Sequence, residues 1–369
     1  MDSVTIKDIA EAINISYSTV SRALNNKYGV KPETRRKVLE AARALGYQPN
    51  AVAQGLVTRR TSSIGLILPD ITNPFYPEVA AGVERAADEQ GLSVLLCNTN
   101  WMEHKQRRYL ELFAQRRVDG LIVSPISDEI EADVSLALRN LPVVYVSNAP
   151  REASRPFVVI DDRAGAREAT RHLLAQGYES VGFIGARTGS VSVSDRLEGY
   201  REALREYGHD YGDRYMYLSD FRQMTGYEVI RRLIREKAAP RAVFAENDFI
   251  ALGVLQAARE LGVAVPEELA IVGFDDVPMA GFSDIGLTTV RQPKRDMGYE
   301  SVRLLLAEME RQPRAPECEG PQHPDSGEAP ESQKPVGRGA PESGAEEPCR
   351  QIIVEPELVV RRTSVAGQP

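Results

Sequence analysis

The sequence predicts an α/β protein in two parts: a small three-helix unit at the N-terminus, then a body of two similar lobes, each a parallel sheet flanked by helices. Three observations predict it. Residues 4–24 carry two short helical patterns joined by a turn; from Ile64 onward short apolar runs alternate with amphipathic stretches; and the two parts carry charge of opposite sign.

The N-terminal unit comes first. Thr5 followed by Asp8 is a capping-box start, and Ile6, Ile9, Ala10 and Ile13 fall at i, i+3, i+4, i+7, which gives the first helix one apolar face. Asn14 sits at the turn and Ser16 is placed to cap a second helix. There Val20, Ala23 and Leu24 pack inward and leave Tyr17, Ser18, Ser21 and Arg22 facing out. A third helix begins at Pro32, buries Val38, Ala41, Ala42 and Leu45, and ends at Gly46.

A helix pair alone is more often a hairpin with a merely solvated polar face. The charge argues otherwise. In residues 1–60 ten basic side chains oppose five acidic ones, a balance of +5, whereas the whole chain carries −8 and the remainder therefore −13. A basic head on an acidic body suits a protein that holds phosphate at one end, and an exposed polar helix face on such a head suits reading of the major groove.

Residues 48–62 change character. Pro49 stops the third helix, Asn50 can cap another, and Ala51 to Val57 offers about two turns, too short and, with Gly55, too weak to stand alone in water. The alternative is an unstructured tether.

The body begins with Ile64–Pro69. That run, Ser93–Cys97, Asp119–Ser124 and Pro142–Val146 have the continuous apolar character of buried parallel strands, and Pro77–Gln90 and Lys105–Arg116 are amphipathic helices between them. A second set has strands near Val181–Ile184, Ala242–Ala245 and Leu269–Phe274, with helices near Ala164–Gly177, Arg196–Tyr207, Gly226–Arg235 and Phe249–Gly262. Open α/β sheets bind ligands at the C-terminal ends of their strands, which nominates Asp70 and Phe75 after the first strand and Arg196, Phe221, Asn247 and Asp275 in the second lobe. Tyr76 reads as packing. Each Asp or Asn alone is more simply a helix cap; it is their convergence on one cleft that points to a site.

Val4–Leu24, Tyr47–Asn50 and Val52–Leu56 resemble the headpiece and hinge of the lactose-repressor family of bacterial transcription regulators, and the likeness runs through nearly the whole chain. The resemblance implies a helix-turn-helix headpiece over residues 1–47, a hinge helix and linker over 48–62, and a two-lobed periplasmic-binding-protein-like core over 63–369. Within that core the expected first lobe is 63–161 with 290–311, and the second 162–289 with 350–363. It implies DNA contacts from Thr5, Ser16, Tyr17, Ser18, Thr19, Ser21, Arg22 and Asn25, and from Asn50, Ala53 and Leu56 of the hinge, Leu56 as a minor-groove wedge. It implies an effector gripped by Asp70, Phe75, Ser147, Arg196, Phe221, Asn247 and Asp275, and a homodimer on operator DNA.

Two departures stand out. Many sugar-binding relatives carry an acid where this chain has Ser147, a departure that leaves carbohydrate the first class for the effector but admits a nucleoside or purine as the second. Pro313–Cys349 interposes a Pro-, Gly-, Glu- and Ser-rich segment unable to bury a core, read as a solvated surface loop in preference to a docking tail.

Composition narrows the function. The chain shows no membrane-length apolar run and no export leader, so a cytoplasmic protein is expected. Three cysteines without a C-x-x-C pair and four histidines without H-E-x-x-H predict neither disulfide framework nor metal, and no cofactor is expected. A pure solute-binding protein would suit the lobes but not the basic head. An enzyme would need a P-loop, a G-x-G-x-x-G turn or a G-x-S-x-G elbow, none of which is present.

Overall fold

A computed structural model of the chain describes residues 4–25, 28–47, 61–138, 141–186, 189–209, 214–219, 223–311 and 350–365. The chain divides into two units, residues 1–61 and 62–369.

In the first unit, α1 (Ile6–Ala12), α2 (Tyr17–Leu24) and α3 (Pro32–Ala44) enclose Ile9, Val20, Ala23, Val38 and Ala42. The Asp8 carboxylate accepts the Thr5 N–H and hydroxyl at 2.7 and 2.8 Å. Asn14 takes the turn with φ 51°, and Ser16 Oγ accepts the Thr19 N–H at 3.3 Å. Leu45 departs from expectation: it is 40% exposed. The helix ends at Ala44, Gly46 reverses the chain with φ 70°, a conformation that costs glycine nothing, and the Tyr47 N–H returns to the Ala42 carbonyl at 2.8 Å. Tyr47 thereby packs on the core where Leu45 was expected to.

The second unit is built on two six-stranded sheets. The first contains β1 (Ser63–Leu68), β2 (Ser93–Asn98), β3 (Gly120–Val123), β4 (Val143–Val146), β5 (Phe157–Ile160) and β11 (Gln351–Val354) in the order β11-β5-β4-β3-β1-β2, all parallel. Helices α4 (Phe75–Asp88), α5 (Glu103–Arg116), α6 (Ile130–Ala137) and α11 (Lys294–Arg311) belong to this lobe.

The second sheet contains β6 (Val181–Ala186), β7 (Met216–Ser219), β8 (Ala242–Ala245), β9 (Ala270–Asp275), β10 (Thr288–Arg291) and β12 (Glu357–Val359), in the order β12-β10-β9-β8-β6-β7. Only the β10–β12 pair is antiparallel among them. Around it pack α7 (Asp162–Ala175), α8 (Val191–Glu206), α9 (Gln223–Arg235) and α10 (Asp248–Glu260).

The lobe boundaries need two corrections. Gln351–Val354, expected in the second lobe, pairs with Phe157–Ile160 and completes the first sheet; only Glu357–Val359 joins the second. Thr288–Arg291 pairs with β9, so the chain returns to the first lobe after Arg291 and not at residue 290. The backbone thus crosses between lobes three times, around 161, 292–293 and 355–356. Helix α8 starts at Val191, well ahead of Arg196, so that Arg196 sits one and a half turns inside it. The insert 313–349 and the hinge residues 48–60 lie outside the described residues.

Candidate functional site

On the first unit, the outward face of α2 presents Tyr17, 54% exposed, with Ser18 and Arg22 also exposed and Ser21 half-buried. These positions recur at helical spacing, on the side opposite buried Val20 and Ala23. Other expected contact residues hold the helix ends. Ser16 Oγ and Thr19 Oγ1 are 2.8 Å apart at the N-cap, Thr5 closes the start of α1 on Asp8, and Asn25 Nδ2 donates to the Ser21 carbonyl at 2.9 Å. Asn50, Ala53 and Leu56 lie outside the described residues.

In the second unit, strands of both sheets aim their C-terminal ends at one narrow, largely closed cavity between the lobes, the place where ligands enter open α/β sheets. Beyond β1 come Asn73, Phe75 and Tyr76; beyond β2, Trp101; beyond β3 and β4, Pro125, Ser147 and Asn148. The other lobe contributes Ser190, Ser192 and Arg196 beyond β6, Glu246 and Asn247 beyond β8, Asp275 at the end of β9, and Gln292 beyond β10. In each sheet the strand order reverses at this point, between β1 and β3 and between β6 and β8, where doubly wound sheets open a crevice.

Five expected residues therefore line one cavity: Phe75, Ser147, Arg196, Asn247 and Asp275. Phe221 lies outside the described residues. Asp70 does not line it; its carboxylate takes the Thr72 N–H and hydroxyl at 2.9 and 2.7 Å, the local turn an Asp favours. Asn247 is both wall and cap, accepting the Ile250 N–H at 2.8 Å. Phe75 stands edge-on to Tyr76, centroids 5.0 Å apart, and Tyr76 packs 6.3 Å from Trp101, giving the cavity an aromatic wall.

The polar wall is a charge cluster. Arg196 Nε donates to Asp162 at 2.7 Å and Nη1 to the Glu246 carbonyl at 2.7 Å; Nη1 is 3.9 Å from Asp275, and the guanidinium lies 3.8 Å over the Phe274 ring. Burial works against the Arg196 charge, but Asp162, Asp275 and Glu246 outweigh it and raise the pKa. Burial pushes Asp162 and Asp275 up to about 6 and Glu246 up to about 7, with Arg196 restraining each.

Asp275 has φ 123° and Ser147 φ 61°, left-handed conformations that cost a non-glycine residue of order 1–3 kcal/mol and gather at ligand sites. Lys294 Nζ holds the Asp275 turn by donating to the carbonyls of Asp275 and Asp276 at 2.6 and 2.7 Å. The lobes also bond at the rim: Ser192 N–H donates to Asn148 Oδ1 at 3.2 Å and Arg151 Nη2 to Asp195 at 2.8 Å.

Sequence reasoning passed over Asn73, Trp101, Ser192, Glu246 and Gln292. Two carried a signal: Asn73 lies inside the first strand-end loop, and Glu246 is the first residue past an apolar strand and precedes a helix cap.

The family description "Bacterial regulatory proteins, lacI family" matches residues 5–50, and "Periplasmic binding protein-like domain" matches 170–324. The ribose operon repressor of Halalkalibacterium halodurans is 37% identical over 84% of this chain and 91% of its own length. The chain belongs to the LacI family of bacterial transcription regulators. Catabolite control protein A of Priestia megaterium is 35% identical over 84% of this chain and 93% of its own. Among solved LacI-family structures, the lac repressor dimer bound to operator and the anti-inducer ONPF superposes with TM-score 0.81 at 26% identity, covering 99% of this chain and 100% of the other. The reading as a solute-binding protein without a DNA-binding role is set aside, because the headpiece itself matches the family.

Proposed function

We propose that this LacI-family regulator is a cytoplasmic transcriptional repressor, without catalytic activity, that binds a pseudo-palindromic operator as a dimer and changes its hold on DNA when a small sugar enters the cavity between the lobes. The observation that carries the reading is the cavity itself. A ligand there touches Phe75 and Ser147 of one lobe and Arg196, Asn247 and Asp275 of the other, so its affinity depends on how the lobes are set. Ribose is the first probe, since ribose operon repressors are among the relatives.

Effector and operator affinities are then coupled reciprocally, by at least about fivefold. Operator titrations with and without ribose, followed by other pentoses, hexoses, nucleosides and purines, test it. Asp275→Ala should abolish the response while leaving operator affinity without ligand unchanged. A wild-type operator affinity that no member of the set alters would sink the switch, and a full response in Asp275→Ala would remove that residue from it.

On the headpiece, Tyr17, Ser18 and Arg22 are proposed to read bases. Replacing Arg22 with alanine should cost about 1–3 kcal/mol on the operator and far less on random duplex. Titrating both duplexes at one salt concentration checks this; equal losses would make Arg22 a phosphate contact.

A further inference from the structure

The cavity is rich in acid and in hydrogen-bond acceptors. Among the described residues its charged walls are Arg196, Glu246 and Asp275, and the Arg196 charge is already met by Asp162 at 2.7 Å. Lys294, the other buried cation nearby, is spent on three backbone carbonyls and on Glu78 at 3.4 Å. One guanidinium thus stands among three buried carboxylates.

Glu246 feels the Arg196 charge without being its hydrogen-bond partner: it is Asp162 that pairs with the guanidinium, while Glu246 meets it through its backbone carbonyl. The Glu246 side chain is 1% exposed, lines the cavity, and accepts the N–H of Ala186 at the end of β6. The strand is thinned to admit it, since a Cβ on Gly185 would lie 2.9 Å from Glu246 Oε2 and closer still to the Phe183 ring. Opposite, the Gln292 amide gives its N–H to Asp275 at 2.7 Å, and its buried Oε1 has no hydrogen-bond partner among the described residues. On the cavity wall, a hydroxyl of a bound ligand can supply the donor that this buried acceptor lacks.

We propose that Glu246 sets the charge class of the effector: it accepts hydroxyls of a neutral polyol and excludes the phosphorylated or carboxylated form of the same sugar. The proposal rests on the cavity being the effector site. A polyol brings the donors that Glu246, Asp275 and Gln292 require, whereas a phosphate or carboxylate brings a further negative charge among carboxylates and meets no unspent cation among the described residues. Rejection by unpaired like charge is a strong route to specificity.

The test uses the full-length protein and calorimetric titration at pH 7.5 with ribose, other neutral pentoses and hexoses, ribose 5-phosphate, hexose phosphates and uronates. The wild type should bind a neutral sugar about 100-fold more tightly than its anionic counterpart. Glu246→Gln, which keeps the shape and an acceptor for the Ala186 N–H, should shrink that ratio about tenfold or more, and Glu246→Asp, which keeps the charge, should retain most of it. A purely structural Glu246 would leave the ratio alone. Wild-type preference for an anionic sugar overturns the proposal, as does a ratio unchanged in Glu246→Gln or lost equally in the Gln and Asp variants. If no member binds the wild type at all, it is the reading of the cavity as a sugar site that fails, and this shows before any variant is made. Should Glu246→Gln not fold, the Asp variant and the wild-type ratio still decide.

Discussion

Replacing Arg196 with methionine should destabilise the body by about 3–5 kcal/mol near pH 8, and by much less near pH 5. The chain of cause starts with burial. Arg196 is the cation that Asp162, Asp275 and Glu246 share, and each already titrates well above the ordinary carboxylate range, at about 6, 6 and 7, because burial disfavours its charge more than Arg196 restores it. Carboxyls whose folded pKa is raised bind protons more tightly in the native state than in the unfolded chain. Their contribution is therefore greatest below the ordinary carboxylate pKa and is lost as pH rises through the folded values. Methionine fills similar volume but removes the attraction, so the folded pKa values climb further and ionisation near pH 8 leaves buried charges without a partner. Urea unfolding of wild type and variant at pH 5 and pH 8 measures the difference. A loss equal at both values would show that Arg196 acts through packing on Phe274 and not through charge.

The same cluster explains what could be read in the sequence. Strands buried on both faces, such as Ile64–Leu68 and Ala242–Ala245, announce themselves as apolar runs. Thr288–Arg291 does not, because two of its four residues are threonines; they are nonetheless fully buried, with Thr289 Oγ1 donating to Asp248 at 2.6 Å and Thr288 Oγ1 to the Arg361 carbonyl at 2.8 Å. Their polarity is satisfied by partners more than forty residues away, which no local pattern displays. Gln351–Val354 falls within the stretch expected in the second lobe and instead joins the first sheet, since either lobe offers an edge and only topology chooses.

Site residues divide the same way. Arg196, Asn247 and Asp275 follow from strand ends and the family resemblance, while Asp70 shares their context and merely closes its own turn. Gln292 was hidden because its role depends on facing Asp275 across a loop, and Trp101 because it reaches the cavity from an edge strand.

Putting a lysine on the outer edge of the first sheet should cost more at the operator than any single base contact. Strand β2 is an edge, and its Leu95 and Leu96 are 42% and 45% exposed. Ile71, 46% exposed, is tied to the end of the same strand by its N–H to Asn98 Oδ1 at 3.3 Å. An apolar, unguarded edge invites pairing with another chain unless something covers it, and in a LacI-family regulator the natural cover is a second copy. Leu96→Lys adds one charge per chain at a site where burial in a dimer would desolvate it, yet leaves the monomer's own core untouched. The variant should therefore keep its fold and shift to monomer. Two headpieces that bind two half-sites as one body gain about 100- to 10,000-fold over either alone, so operator affinity should fall by that order while affinity for an isolated half-site barely changes. Sedimentation gives the state and titration of full and half operators the affinities. A variant that remains dimeric would place the interface elsewhere, and a monomer that still binds the full operator like the wild type would uncouple dimerisation from DNA recognition.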